Sequence, residues 1–281
     1  MKKLLISLTI ALSALPVMAG NKEKPSPQRD TLRILAIGNS FSVDGVEQYL
    51  WELFDAVGIP VIIGNMYIGG CSLERHWNNA ETDAPAYSYR KIRGGVRSVT
   101  KEFSLEKAFA DEPWNIVTFQ QKSGKSGLYE TYQPYLHLLV DYARSHSGPD
   151  TVFLWYQTWA YAGDSTHRDF PNYDNKQLKM YKAIVSASKR AIKEEKLRGV
   201  IPGGTAIQNG RKSSLGDSFN RDGYHLEKTY GRFTVACAWF EAISGESVID
   251  NPYRPDSITP EVADICRRVA HNACRHPWKV R

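Results

Sequence analysis

The feature that most constrains the fold of this chain is a set of short apolar runs that recur between longer amphipathic segments. Each run is nearly continuous in aliphatic and aromatic residues, as is typical of parallel strands buried on both faces. Strands interleaved with helices predict an α/β domain in which helices cover both faces of a parallel sheet. The five predicted strands are Leu32–Ile37, Val61–Tyr67, Ile116–Phe119, Thr151–Tyr156 and Gly199–Ile201.

The segments between and after these strands carry apolar residues at helical spacing. Together with the strands they predict a three-layer α/β/α sandwich around a five-stranded parallel sheet. The predicted helices are Val46–Val57, Ser104–Asp111, Tyr132–His146, Lys176–Lys196, Tyr230–Ser244 and Pro260–Cys274.

Two polar and aromatic segments interrupt the alternation. Ser72–Glu102 follows the second predicted strand and Ala160–Asn175 follows the fourth, and neither shows strand periodicity. We interpret both as loops or insertions. Because they leave the carboxyl ends of strands, they lie at the edge where open α/β sheets bind ligands.

The N-terminal segment has the pattern of a secretory signal peptide. Lys2 and Lys3 precede a short apolar stretch, and small residues follow up to Ala19. We predict a signal peptide over residues 1–19, a flexible leader over 20–30 and one domain over 31–281. The first cysteine is Cys71, so no lipid-anchor motif follows the apolar stretch. That stretch is also too short to span a bilayer comfortably. We therefore expect the protein to be exported, most simply to the periplasm.

Composition argues for a globular protein with a dispersed surface charge. Hydrophobic residues make up 42% of the chain, well above the level of disordered proteins. The net charge is +6, to which Lys2 and Lys3 contribute two, and the other cations are mixed with acids. We therefore expect no nucleic-acid binding, which usually needs a clustered basic surface. With no Cys-x-x-Cys pair or histidine cluster, we also expect no metal site.

Two short motifs supply the parts of a hydrolytic triad. Ser40 stands directly after the first predicted strand, while Asp222 and His225 precede the last helices. A serine nucleophile needs a base, and the base needs an acid to orient it. Simpler interpretations stay open: Ser40 or Ser42 caps a helix that begins near Gly45, and residues 222–225 form a solvated turn.

These motifs resemble the sequence blocks of the SGNH/GDSL hydrolases. Residues 38–42 read Gly-Asn-Ser-Phe-Ser like the first block, and residues 222–225 read Asp-Gly-Tyr-His like the last. Residues 68–72, Ile-Gly-Gly-Cys-Ser, stand where the second block is expected. The wording is similar to that of exported Bacteroidetes-type proteins of unassigned function in that superfamily. The resemblance implies a flavodoxin-like sheet with strand order 2-1-3-4-5.

The resemblance also implies roles for individual residues. Ser40 would be the nucleophile, His225 the general base and then acid, and Asp222 its orienting partner. The backbone N–H groups of Ser40 and Gly70 would hold the oxyanion. The asparagine of the third block is missing here, and Gln121, with Gln120 as the second choice, is expected to supply the side-chain donor instead.

Aromatic and polar residues near the fourth strand are candidates for a substrate-binding rim. Trp155, Gln157 and Trp159 would offer ring faces and an amide to a sugar, and His76 would line the same cleft. The alternative is aromatic packing at a strand end, with His76 as a surface residue.

By resemblance, the chain is expected to be a serine esterase that forms an acyl-enzyme, a chemistry that needs no cofactor. The resemblance, together with export and the aromatic loops, favours O-acetyl groups of a glycan as substrate. A lipase or lysophospholipase is one alternative, although the loops are polar. A glycan-binding protein without turnover is another, because of the missing asparagine. The expected partner is thus a small-molecule or glycan ester, and the oligomeric state stays open.

Overall fold

The computed structural model describes residues 30–281. The predicted signal peptide lies outside the described residues, as does all but the last position of the predicted leader. The strands are β1 (Leu32–Gly38), β2 (Val61–Tyr67), β3 (Tyr87–Arg93), β4 (Val96–Phe103), β5 (Ile116–Phe119), β6 (Val152–Tyr156) and β7 (Gly199–Ile201). The helices are α1 (Ser40–Val46), α2 (Leu50–Asp55), α3 (Leu73–Glu81), α4 (Leu105–Asp111), α5 (Tyr135–Ser145), α6 (Gln177–Glu194), α7 (Gly203–Gly210), α8 (Tyr230–Ser244) and α9 (Pro260–Arg275).

All of these strands form one sheet in the order β4-β3-β2-β1-β5-β6-β7. The five predicted strands are β2, β1, β5, β6 and β7, which are mutually parallel. Ile34 of β1 pairs with Ile63 on one side and with Ile116 on the other, so β1 is central. The α/β/α fold class and the predicted order of the parallel strands are confirmed.

The sheet has seven strands where we predicted five. The interpretation of residues 72–102 as a loop or insertion was wrong, because they contain α3 and the antiparallel hairpin of β3 and β4. The residues of β4 from Val96 to Glu102 are all exposed, so the strand has no apolar alternation by which it could be recognised. By contrast, most of residues 160–175 are irregular, as predicted.

Alternate residues of β1 face two separate hydrophobic clusters. Ile34 and Ala36 pack with side chains of α1, α2, α8 and α9. Leu35 and Ile37 pack with side chains of α3, α4 and α5 on the other face. This alternation produces the three layers, because each face of the sheet buries its own helices. Within residues 30–281, no helix combines the length and the apolar character needed to cross a bilayer.

The predicted helix Val46–Val57 corresponds to the shorter α2, Leu50–Asp55, and only its first residue, Val46, belongs to α1. α1 ends at Val46 and α2 begins at Leu50, and Tyr49 between them has a φ of 73°. A non-glycine residue in this left-handed region interrupts the helical path. The first of these helices, α1, begins just after the central strand, and Ser40 is its first residue.

Candidate active site

Loops from both ends of the domain meet at the carboxyl edge of the sheet. They enclose a cleft of about 380 Å³, lined by residues from the loops after β1, β2, β5 and β6 and from the loop before α8. Ser40, Gly70 and His225 are among the lining residues. Since the central strands are parallel, their exits share one edge, where such sheets bind ligands.

Ser40, His225 and Asp222 form a continuous hydrogen-bonded relay. Ser40 Oγ lies 2.9 Å from His225 Nε2, and His225 Nδ1 lies 2.7 Å from Asp222 Oδ2. An ionised carboxylate only accepts hydrogen bonds, so Nδ1 of the neutral ring carries the proton and Nε2 accepts from the serine hydroxyl. The three side chains therefore have the geometry of a nucleophile, a base and an orienting acid.

Asp222 is held in its ionised form by the turn that it shares with the histidine. Its carboxylate also accepts hydrogen bonds from the backbone N–H of His225 at 2.7 Å and of Tyr224 at 3.2 Å. Partial burial raises the pKa of Asp222, but the hydrogen bonds from His225 and Tyr224 outweigh it and leave that pKa below its usual range. The carboxylate is thus available to stabilise a positively charged imidazole.

Gly223 is required by the conformation of this turn. Its φ is 84°, a region that residues with a Cβ rarely adopt. A Cβ at this position would lie 2.9 Å from Ser165 Oγ in the loop after β6. The backbone of that loop also contacts the turn, since the N–H of Ala162 donates to the Gly223 carbonyl at 2.9 Å.

Asn39, which the sequence analysis did not single out, fixes the position of the serine. Its side-chain carbonyl accepts from the N–H of Phe41 at 3.0 Å, so Asn39 rather than Ser40 caps α1. The same oxygen accepts from the Gln120 amide at 2.9 Å, and the Asn39 amide donates to the Cys71 carbonyl at 3.0 Å. One side chain therefore joins the exits of β1, β2 and β5.

Asp44, a second residue that sequence reasoning missed, links the serine helix to the histidine loop. Its side chain is almost completely buried within α1. The carboxylate accepts from the N–H of Leu226, the residue after His225, at 2.8 Å. It also pairs with Arg232 at 2.6 Å. An acid between Val43 and Gly45, directly after the serine motif, was the only sequence signal for this role.

Two residues that line the cleft, Ser40 and Gly70, have free backbone N–H groups within the described residues. Gly70 has a φ of 60°, and its loop lines the cleft beside Ser40. Within the described residues, the N–H groups of Ser40 and Gly70 have no hydrogen-bond acceptor. Free donors of this kind, beside a nucleophile, can bind a developing oxyanion.

The two glutamines do not occupy the position predicted for a third oxyanion donor. Both N–H bonds of the Gln121 amide are used by Thr131, at 3.1 Å to its carbonyl and to its hydroxyl. The Gln121 carbonyl accepts from the N–H groups of Leu73 and Lys122. Gln120 is bound to the asparagine described above, and neither glutamine lines the cleft. Their amides stabilise the loops instead.

The predicted aromatic rim is buried. Trp155 is covered by α6, and its indole N–H donates to Ser188 Oγ at 3.0 Å. Gln157 is completely buried, and its carbonyl accepts from the backbone and hydroxyl of Thr205 at 2.9 Å. Neither residue reaches the cleft, so the prediction that they bind substrate was wrong and the alternative of strand-end packing applies.

Trp159 and His76 are buried as well. Trp159 stacks on Phe41 with a centroid distance of 4.1 Å, and its indole N–H donates to the Tyr224 carbonyl at 2.7 Å. It therefore supports both sides of the relay without contacting the cleft. His76 bonds to the Tyr87 hydroxyl at 2.9 Å, and burial lowers the pKa of His76 to about 3, so the ring is neutral. The prediction of His76 as a cleft residue was also wrong.

The cleft is instead lined by side chains that sequence reasoning passed over. They come from the end of β2, the loop after β5, the loop after β6 and the histidine turn. These side chains are Tyr67, Lys122, Ser123, His167, Arg168 and Tyr224. Tyr224 belongs to the Asp-Gly-Tyr-His motif and Tyr67 ends the second predicted strand. The only sequence signal of the others was that they follow the carboxyl ends of predicted strands.

Replacing Gly223 by alanine should destabilise the protein and slow the reaction of Ser40 with a fluorophosphonate probe. The left-handed backbone costs an alanine about 1–2 kcal/mol, and the contact with Ser165 displaces the turn that carries His225. Urea unfolding would measure the first effect, and the rate of labelling the second.

Gly216→Ala is a matched control for this variant. Gly216 also has a positive φ, of 59°, but its Cβ would meet nothing within 4 Å. We expect a similar strain and unchanged labelling. Equal labelling rates for the two variants would contradict the role assigned to the turn.

Comparison with solved structures agrees with this architecture. A crystal structure of a DUF4886 family protein from Bacteroides uniformis ATCC 8492 is 51% identical, with a TM-score of 0.89 over 90% of this chain and 98% of that chain. The psychrotrophic esterase EstA from Pseudoalteromonas sp. is 13% identical, with a TM-score of 0.50 over 76% of this chain and 97% of that chain. The second likeness shows a shared fold.

Comparison with protein families assigns the chain. No curated protein matches it. The family described as "Domain of unknown function (DUF4886)" matches residues 33–273, which is most of the chain. The protein therefore belongs to the DUF4886 family.

Proposed function

We propose that this protein is a serine hydrolase of carboxylic esters, distantly related to the SGNH/GDSL hydrolases. The observation that carries the proposal is the relay from Ser40 Oγ through His225 to Asp222 at the edge of an open cleft. A capped serine or a solvated turn would not need this alignment. The fold shared with EstA, an esterase by its name, is compatible with the proposal.

The proposed reaction follows from the positions of these groups. Ser40 Oγ attacks the ester carbonyl while His225 Nε2 accepts its proton, and Asp222 stabilises the resulting imidazolium. The N–H groups of Ser40 and Gly70 donate to the oxyanion of the tetrahedral intermediate. Collapse breaks the bond to the alcohol, which leaves with the proton from His225. Water then attacks the acyl-enzyme while His225 accepts its proton. His225 returns this proton to Ser40 Oγ as the carboxylic acid is released.

The cleft favours a small acyl group on a polar alcohol. Among its lining residues, within the described part of the chain, none is aliphatic. A long acyl chain would therefore find no aliphatic side chain to pack against, which disfavours a lipase or lysophospholipase. Tyr67 and Tyr224 are the aromatic side chains that can contact a sugar there. We infer that the substrate is an O-acetyl ester of a glycan, in keeping with the predicted export.

Ser40→Ala should abolish hydrolysis of p-nitrophenyl acetate. Removal of the nucleophile of a triad lowers kcat by at least about 10³-fold. The wild-type protein should also be labelled by a fluorophosphonate, with the label on Ser40. Ser98→Ala, a change on exposed β4, is the control and should react like the wild type.

Turnover that survives in Ser40→Ala would contradict the assignment of the nucleophile. A wild-type protein with neither turnover nor labelling would instead favour the glycan-binding protein. That alternative rests on one observation. Because both glutamines are buried and bound elsewhere, an oxyanion would have two backbone donors and would lack the side-chain amide that the superfamily uses.

Activity should decrease as the acyl chain lengthens. Because the cleft offers no aliphatic wall, each added methylene gains little and must fit a space of about 380 Å³. We expect kcat/KM for p-nitrophenyl octanoate to be about tenfold or more below that for the acetate. This ratio corresponds to a difference in activation free energy of about 1.4 kcal/mol or more. A preference for octanoate would restore the lipase alternative.

Activity should also decrease in acid with a single proton uptake. Protonated His225 cannot accept the serine proton, so kcat/KM falls as the pH decreases. Asp222, whose pKa lies below its usual range, stays ionised and adds no second step.

Asp222→Asn should lower kcat by about 10⁴-fold, because an amide stabilises the wrong tautomer of His225 and does not stabilise its imidazolium form.

The measurement is a pH profile of kcat/KM with p-nitrophenyl acetate. Asp256→Asn makes the same change at an exposed position that is far from Asp222 in the sequence. It serves as the matched control and should retain the wild-type profile. An acid limb with a slope of two, or full activity in Asp222→Asn, would argue against these roles.

A further inference from the structure

The charges of the cleft are unbalanced. Lys122 and Arg168 line it, and no acidic residue does so within the described part of the chain. Asp169 lies behind them, with its carboxylate 3.1 Å from Lys122 Nζ and 3.9 Å from Arg168 Nε. One carboxylate thus faces two cations. Asp222, the other nearby acid, is bound to His225. The open side of the cleft therefore carries an excess of positive charge.

A neutral hydrogen-bond donor stands next to these cations. The backbone N–H of Asp169 donates to His167 Nδ1 at 3.1 Å, so the proton of the neutral ring is on Nε2. Burial lowers the pKa of His167, and the charges of Lys122 and Arg168 lower it further against the opposing effect of Asp169. His167, which lines the cleft, therefore carries its proton on Nε2, which has no hydrogen-bond partner within the described residues.

These donors lie on the side from which the alcohol leaves. His225 must protonate the departing oxygen, so the alcohol part of the ester is next to its ring. The Tyr224 ring lies 4.1 Å from the His225 ring and 4.7 Å from the His167 ring, measured between centroids. His167 and its neighbour Arg168 therefore lie on the His225 side of the cleft, where the alcohol would depart.

We propose that the cleft selects esters whose alcohol part carries a negative charge, such as an acetylated sugar acid. The anion would bind Arg168, Lys122 and the Nε2–H of His167. Hydrogen bonds between charged partners are stronger than those between neutral ones, and a cleft lined by one sign of charge concentrates ligands of the other. The proposal rests on the proposed ester hydrolysis and narrows its substrate class.

The test compares an anionic and a neutral ester that share the same acetoxybenzoyl skeleton. 4-Acetoxybenzoate carries a carboxylate on its alcohol part, and methyl 4-acetoxybenzoate is its neutral counterpart. The quantity measured is the ratio of their kcat/KM values, which cancels changes that affect both esters alike. Arg168→Gln should lower this ratio about three- to tenfold, chiefly through KM of the anion, since the site is open to solvent. Arg168→Glu should lower it further.

Arg198→Gln is the matched control. It removes the same charge from an exposed residue at the amino end of β7, the edge of the sheet opposite the cleft. Its ratio should equal that of the wild type. Added salt should lower the wild-type ratio, because it screens exposed charges. Acetate release should likewise be faster from O-acetylated oligogalacturonides than from the same material after methyl esterification.

The outcomes separate this inference from the proposed function. Hydrolysis of both esters with a ratio that neither Arg168 variant nor salt changes would overturn the inference and leave the esterase intact. Absence of turnover, with Ser40 unlabelled by a fluorophosphonate, would overturn both. Arg168 is 84% exposed, so its variants should fold, and thermal unfolding would verify this.

Discussion

A buried carboxylate joins the two ends of the chain that form the site. Asp44 belongs to the helix that starts at Ser40, and it accepts hydrogen bonds from Leu226 and Arg232. Leaving a buried charge without its partner costs about 3–5 kcal/mol, so the core enforces these contacts. Because Leu226 directly follows His225, the contacts that neutralise Asp44 also fix the imidazole near the serine. The alignment of Ser40 with His225 and the folding of the domain thus depend on the same interaction.

The sequence predicted the part of the fold that is buried on both faces. Every parallel strand was located within about one residue, because a continuous apolar run has few other interpretations. β4 was missed since its side chains face water. α7 was missed for another reason: Gly203 and Gly204 are poor helix formers, and packing against β6 and its loop decides their conformation.

The site residues were predictable where a motif indicates a chemical role. They were not predictable where the exposure of a side chain decides whether it reaches the cleft. Short motifs named Ser40, Asp222 and His225, and the structure brings these side chains together. Trp159 was misjudged because its sequence does not reveal that Phe41 covers its ring. Arg168 was overlooked for the opposite reason, since a single charged residue in a loop resembles any other surface charge.

The outer strand β4 has a consequence for how these molecules meet one another. Within residues 30–281, it leaves one edge of the sheet without a neighbour and exposes Val96 and Val99. Such an edge is a template on which a strand of another molecule can add. Lys101 carries a charge in this edge, and Glu102, with a φ of 55°, bends it out of a regular ladder. The protein thereby blunts one outer border of its sheet from which intermolecular fibrils could grow.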